Sequence, residues 1–334
     1  MKTGIAGCLL VVAALAAVSQ AQEPLRLVQT ITLPVKGKFD HMAVDVKNNR
    51  AFVAASGNST LEVIDLQNAK WIHSIPGKGK PAGVWYCPSA DRVVYSLDSG
   101  SLRILNPNTL EVESEVTLAE DADTLGWDAE NGIVFVDAGG KGTGEPFSRL
   151  SPVVLKTRKN LGDIKIESGS IEHMAFEDHG PRMFLSDKAN GRVVVIDRRQ
   201  RKVIDTWEIS VAKQTVSMAL NESEHRLYVG ARQPGMLVVL DTETGKTVAH
   251  LPATGFTDDA AYDAVRKRIY LSGGDGFLDV YQELDPDHYV QAAKIPTREG
   301  ARTSRWVPEQ NRLYLEVPAL KPRDAAEIRV FEAD

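Results

Sequence analysis

The chain has 334 residues, with 39 Lys and Arg against 45 Asp and Glu, and a formal net charge of −6 at pH 7. That balance disfavours phosphate backbones and anionic lipid as partners held through net charge. Lys2, an apolar run from Ile5 to Val18, and the small residues Ser19 and Ala21 at cleavage-site spacing read as a secretory signal peptide over residues 1–21, cut after Ala21. The run is shorter than the ~20 residues of a spanning helix, and Cys8 falls too early for a lipoprotein cleavage site. No later segment is apolar enough to span a bilayer, so a soluble periplasmic or secreted protein is expected. Cleavage leaves Cys87 alone, which rules out an intramolecular disulfide; within Val84-Trp85-Tyr86-Cys87 it is expected to be a buried, inert thiol.

After Leu25–Leu33, which alternates like an outer strand, a unit recurs seven times. Its marks are Arg50, Arg92, Gly132, Arg182, Arg226, Arg268 and Arg312, spaced by 42, 40, 50, 44, 42 and 44 residues. Most marks are followed by a β-branched or aromatic run, such as Ala51-Phe52-Val53, Leu227-Tyr228-Val229 or Leu313-Tyr314-Leu315. A second run ends on a turn former in Val63-Ile64-Asp65, Ile104-Leu105-Asn106, Val195-Ile196-Asp197 and Val239-Leu240-Asp241, where the Asx side chain can start a hairpin. Lys70, Lys202 and Lys246 each fall five residues after the Asp, so three units keep register through the turn. Unbroken apolar runs indicate strands buried on both faces. A repeat of this length predicts an all-β fold, a seven-bladed propeller of four-stranded blades in one domain over residues 22–334. The seventh unit stops at Asp334 one strand short, and Leu25–Leu33 is expected to complete it, because an open edge invites aggregation.

Nine residues before each mark stand His41, Gly83, Asp123, His173, Ser217, Asp259 and Thr303, at the starts of the expected innermost strands. One position earlier stand Asp40, Ala82, Ala122, Glu172, Val216, Asp258 and Arg302. Equivalent positions of a propeller converge on the mouth of its channel, so Asp40, His41, Asp123, Glu172, His173, Asp258, Asp259 and Arg302 form the expected ligand site. His41, Asp123, His173 and Asp259 are the candidates for a divalent metal, since imidazole and carboxylate suit zinc or another transition metal. The loops between second and third strands open on the same face, and two are lengthened, at 138–150 and 317–327.

Other motifs carry less. The glycine-rich stretch 139–144 lacks a following Gly-Lys-Ser/Thr element and reads as a flexible insertion. Arg198-Arg199-Gln200-Arg201-Lys202 is a basic run at a hairpin turn, read as solvated. Asp285-Pro286-Asp287-His288 lacks calcium-loop spacing, and His73, His179, His225 and His250 are expected at the surface. There is no Gly-x-Ser-x-Gly elbow.

With a leader, seven units and pairs such as Arg226-Leu227-Tyr228-Val229-Gly230 followed by Leu237-Val238-Val239-Leu240-Asp241, the chain resembles the YVTN-repeat propellers of the bacterial envelope, the YncE-type branch in particular. It departs from the Tyr-Val-Thr-Asn form in every unit, so the resemblance rests on period and strand pattern. The resemblance implies a seven-bladed periplasmic protein used chiefly for binding. The architecture is also similar to quinoprotein amine dehydrogenase heavy chains and haem d1 nitrite reductases, whose cofactor residues have no match here. The expected function is non-catalytic binding of a protein partner or small ligand by a monomer. A lactonase or lyase using His41 or His173 as base, with Asp123 or Asp259 positioning it or holding a metal, is the alternative; single-stranded nucleic acid binding, suggested by Arg198–Lys202, is opposed by the acidic balance.

Overall fold

The computed structural model describes residues 23–334, and the signal-peptide reading of residues 1–21 lies outside them. Each sequence unit folds into an antiparallel sheet, because short β-branched and aromatic runs are separated by turn residues at hairpin spacing. The first blade comprises Met42–Asp45, Arg50–Ala55, Thr60–Asp65 and Lys70–Pro76. The next five open with innermost strands Pro81–Cys87, Leu125–Asp128, Met174–Phe176, Lys213–Asn221 and Thr257–Asp263. The seventh joins Ser304–Val307, Arg312–Val317 and Ala326–Ala333 to Leu25–Leu33 from the other end of the chain. The protein is a seven-bladed β-propeller closed by its N-terminal strand.

The closing strand runs from Leu25 opposite Ala333 to Leu33 opposite Ala326, with a bulge between Leu27 and Gln29. The bulge changes which face the alternation presents, so Leu25 packs at the seam with the sixth blade beside Tyr270 and Leu278, while Ile31 and Leu33 pack at the seam with the first beside Val53; Leu27 is exposed. The Asx turns form as the Asp positions predict. Asp65, Asp197 and Asp241 each accept a backbone N–H three residues on, from Asn68 at 2.9 Å, Gln200 at 2.8 Å and Thr244 at 2.8 Å. The residue before each following Lys turns the chain left-handed, at φ 54° for Ala69, 56° for Arg201 and 70° for Gly245.

The core is not central but radial. Seven hydrophobic clusters each straddle one seam between adjacent blades. Phe184, Val193 and Trp207 of the fourth blade, for instance, pack on Met218, Leu227 and Val229 of the fifth. Second and third strands are therefore covered on both faces, which accounts for their continuous apolar runs. Cys87 is fully buried and free, and burial pushes its thiol above the usual range. The third blade departs from the pattern: its outer edge breaks at Leu161–Asp163, and Lys159–Asn160 and Ile164–Ile166 both pair with Ser148–Val154. No helix among the described residues is long and apolar enough to cross a membrane.

Candidate site at the channel mouth

Every innermost strand starts at one face, here the upper face, and runs down the channel wall. Backbone bonds stitch these strands together at the rim: His41 N–H donates to the Ala82 carbonyl at 3.1 Å, and Gly83 N–H to the Asp123 carbonyl at 3.1 Å. The approach at Gly83 leaves no room for a side chain, since a Cβ there would lie 2.4 Å from the Asp123 carbonyl oxygen and 2.7 Å from Leu125 Cγ. The second blade thus contributes backbone, while the first, third, fourth and sixth contribute His41, Asp123, His173 and Asp259.

Three of these four meet. His41 Nδ1 stands 3.5 Å from Asp259 Oδ2, and His173 Nε2 stands 3.4 Å from Asp259 Oδ1. The imidazoles face each other edge-on, with centroids 4.9 Å apart. Asp259 is anchored by the Ser304 N–H, which donates to Oδ2 at 2.8 Å. Among the described residues, His41, His173 and Asp259 can each offer a donor atom within 4.8 Å of the others, and Asp123 is not in that set. The buried Nε2 of His173 has no hydrogen-bond partner.

Burial and mutual charge shape this trio. Burial opposes an imidazolium at His41, but Asp259, then Asp40, outweighs it and holds His41 well above the ordinary histidine range. Burial prevails at His173, which is lowered. It would raise Asp259 as well, yet the two imidazoles and the Ser304 amide override it and keep that carboxyl low.

A second tier of charge rims the trio. Asp258 is clamped between Arg302 Nε and Arg232 Nη2, each 2.6 Å from one of its oxygens. Glu172 pairs with Lys188 Nζ. Asp40 faces His41 Nε2 at 3.6 Å, and burial, partly offset by His41, pushes it up to about 6. Asp123 is raised well above the carboxylate range by burial and then by Asp40 and Glu172. The rim therefore contains paired and unpaired acids side by side.

Cavities adjoin both tiers. Below the trio a space of about 160 Å³ continues down the channel between Met42, Met174, Met218 and Trp306. Arg305 lies there over the Trp85 ring at 4.0 Å. Beside Asp123 and Glu172 a polar cavity of about 340 Å³ opens between the third and fourth blades, under the lengthened loop. That loop contains a 3₁₀ turn, Gly140–Thr143, that brings Lys141 to the cavity, and the strand before it, Ile133–Gly139, brings Asp137.

All eight expected site residues gather at this face. Sequence reasoning missed Lys188 and Arg232, although both lie six residues after their marks, where second strands return to the upper face. The same offset across units would have found them. The basic run lies on the opposite face, where Arg198 and Arg199 are engaged by Glu130 and Arg198 also by Asp128. His73 and His250 sit on outer strands, and His179 and His225 at turns.

The class defined by these observations is a seven-bladed β-propeller with a polar site on its axis at the upper mouth of the channel. No family model matches the chain. It is similar to the uncharacterized protein YncE of Salmonella typhimurium strain LT2 and to that of Salmonella typhi, each 22% identical over 224 residues, or 66% of this chain and 56% of the relative. The match spans little more than half the length of those relatives. The distant homology and the seven blades together fit the YncE-type resemblance read from the repeat. Among solved structures, a chain of the mitotic checkpoint complex superposes with a TM-score of 0.77, covering 98% of both chains at 13% identity, a likeness of fold alone.

Proposed function

We propose that the protein is an exported binding propeller whose ligand is a small polar molecule or ion held at the upper mouth of the channel. The leader-like sequence from Lys2 to Ala21 supports export. The observation that carries the binding role is that His41, His173 and Asp259 come from three different blades and converge on the axis, with His173 Nε2 left unpartnered. Burying ionisable groups without full satisfaction costs stability. A ring needing only rigidity has cheaper solutions at this height, such as Gly83, Ser217 and Thr303 in the other blades. Bulk discrimination would then come from the rim and the cavity beside Asp123.

The lactonase or lyase alternative is not favoured, because no feature of the site selects a scissile bond or a leaving group. Nucleic acid binding loses its motive once Arg198 and Arg199 are engaged by carboxylates.

A thermal-shift screen of the purified protein against sugars, lactones, amines and carboxylates, run with and without chelator, tests the proposal. A true ligand at 100 times its Kd stabilises by about 2.7 kcal/mol, a rise in Tm of about 4 °C for a chain of this length. The rise should vanish in Asp123→Asn combined with Glu172→Gln. If no compound shifts the unaltered protein, or the shift survives both those changes and His41→Ala combined with His173→Ala, the mouth is not the binding site.

A further inference from the structure

We infer that His41, His173 and Asp259 form a site for one divalent first-row transition-metal ion, an inference that deepens the binding function proposed above and rests on it. Separation of the donors is the first argument. The Asp259 oxygens stand 3.5 Å from His41 Nδ1 and 3.4 Å from His173 Nε2, beyond the roughly 2.7–3.2 Å of a good hydrogen bond. A tetrahedron of ligands with bonds of about 2.1 Å has edges of about 3.4 Å. The two separations involve different oxygens of the one carboxylate, and one donor atom from each residue lies within 4.8 Å of the others, so a small contraction around a shared ion would bring all three into its shell.

The surroundings supply a second, independent argument. A ligating imidazole typically presents its other nitrogen to a carboxylate, which orients the ring and raises its basicity. His41 is placed to do so: with Nδ1 toward Asp259, its Nε2 faces Asp40 Oδ1 at 3.6 Å, a few tenths of an ångström short of a hydrogen bond. Asp259 is fixed by the Ser304 amide, and His173 Nε2 is buried with its lone pair or proton unclaimed. Asp40 is therefore a positioning residue for the site.

Donor chemistry narrows the ion. Two imidazole nitrogens and one carboxylate suit zinc, iron, cobalt, nickel or copper in the divalent state, whereas calcium and magnesium favour oxygen-only sets. Three protein ligands leave at least one coordination position open. The space below the trio is lined by all three residues and borders that position, so a small molecule with a carboxylate or hydroxyl could complete the shell. The alternative for the same side chains is a bare ion-pair network, with Asp259 shared between a protonated His41 and a neutral His173.

The deciding experiment strips the purified protein with a chelator and titrates it with Zn²⁺ against a chromophoric competitor, using Co²⁺ as a spectroscopic probe of the unaltered protein. One Zn²⁺ per chain and a Co²⁺ visible spectrum typical of nitrogen and oxygen ligation are expected. His41→Ala, His173→Ala and Asp259→Asn should each weaken Zn²⁺ binding by about 100-fold or more, and Asp40→Asn by about 10–100-fold. Circular dichroism accompanies each variant, and His173→Gln replaces the alanine variant if that one does not fold. Absence of Zn²⁺ and Co²⁺ binding at micromolar free metal overturns the inference, as does unchanged affinity in the His41→Ala, His173→Ala double variant. An organic ligand that still shifts Tm in chelator would show that the metal alone has failed; loss of every organic ligand with the metal retained would leave a pure metal site.

Discussion

Leu25 stands opposite Ala333 in the outer pair of the seventh blade, so the strand Leu25–Leu33 and the strand Ala326–Ala333 seal a single sheet. The seam is held by this pairing, by the packing beneath it, where Ile31 and Leu33 join Tyr314, Ile328 and Val330, and by a few flanking contacts such as the Gly37–Ala319 bridge and Arg268 Nη1 donating to the Pro24 carbonyl. Leu25, Ile31 and Leu33 are 1, 1 and 3% exposed, and burying each contributes about 1.5–3 kcal/mol. With the lost strand ladder, removal approaches the whole stability of about 5–15 kcal/mol typical of a domain. Deleting residues 22–34 should abolish the cooperative melt seen by circular dichroism; a truncated protein that melts like the full one would show that the seam closes without this strand.

Gly83 marks the closest backbone approach on the channel rim. A methyl group there meets the Asp123 carbonyl and Leu125, while the Gly83 N–H is already held by Ser96 Oγ at 2.8 Å. Gly83→Ala should destabilise by about 1–3 kcal/mol and shift the Asp123 side of the rim. The check is a denaturant titration, in which the midpoint falls while the slope is unchanged. Equal stability would mean the second and third blades are free to separate at the rim.

The gathering of ionisable groups at one height was legible because a fixed offset from each mark lands on the same turn of every blade, and His41 and His173 share the context acid-His-Met-Ala. Which groups touch was not. The first and fourth blades are three steps apart in a ring of seven, so His41 and His173 meet only by reaching across the axis, and that depends on rotamers and channel width. Asp259 closes the trio whereas Asp123, at the same offset, stays in the rim near Asp40 and Glu172. The pairing of Arg232 with Asp258 was equally hidden, since it joins the end of one blade's second strand to the start of the next blade's first. Closure by Leu25–Leu33 was readable because an alternating strand before the first unit and a missing strand in the last can satisfy each other.

Asp258 holds two guanidinium groups together, Arg232 at 12% and Arg302 at 36% side-chain exposure, through its own nearly buried carboxylate. Asp258→Ala leaves like charges facing each other across the rim. Removing one partner of a buried pair typically costs about 3–5 kcal/mol; the partial exposure of Arg302 places the expected loss at the lower end, about 3 kcal/mol. Arg232→Met combined with Asp258→Leu should recover part of it, because an apolar replacement removes the stranded charges as well as the pair. A melt of the single variant within error of the parent would mean that the clamp is solvated in solution.

Glu316 points the other way, toward a carboxyl that the fold would rather keep neutral. It is fully buried in the second strand of the seventh blade, and neither carboxyl oxygen has a hydrogen-bond partner. Burial is the main cause that raises it well above the ordinary range. The folded protein therefore holds this proton more tightly than the unfolded chain does, so stability falls as pH rises from the usual glutamate range, about 4.3, through the raised folded value. Glu316→Gln removes the ionisation and should leave stability near that of the parent at pH 4, but exceed it at pH 8 by about 1–3 kcal/mol, the cost of a buried unsatisfied polar group. Paired thermal melts of both proteins across that pH interval measure the difference. A gap that is constant with pH, or that opens toward acid, would place the charge of Glu316 in a satisfied environment.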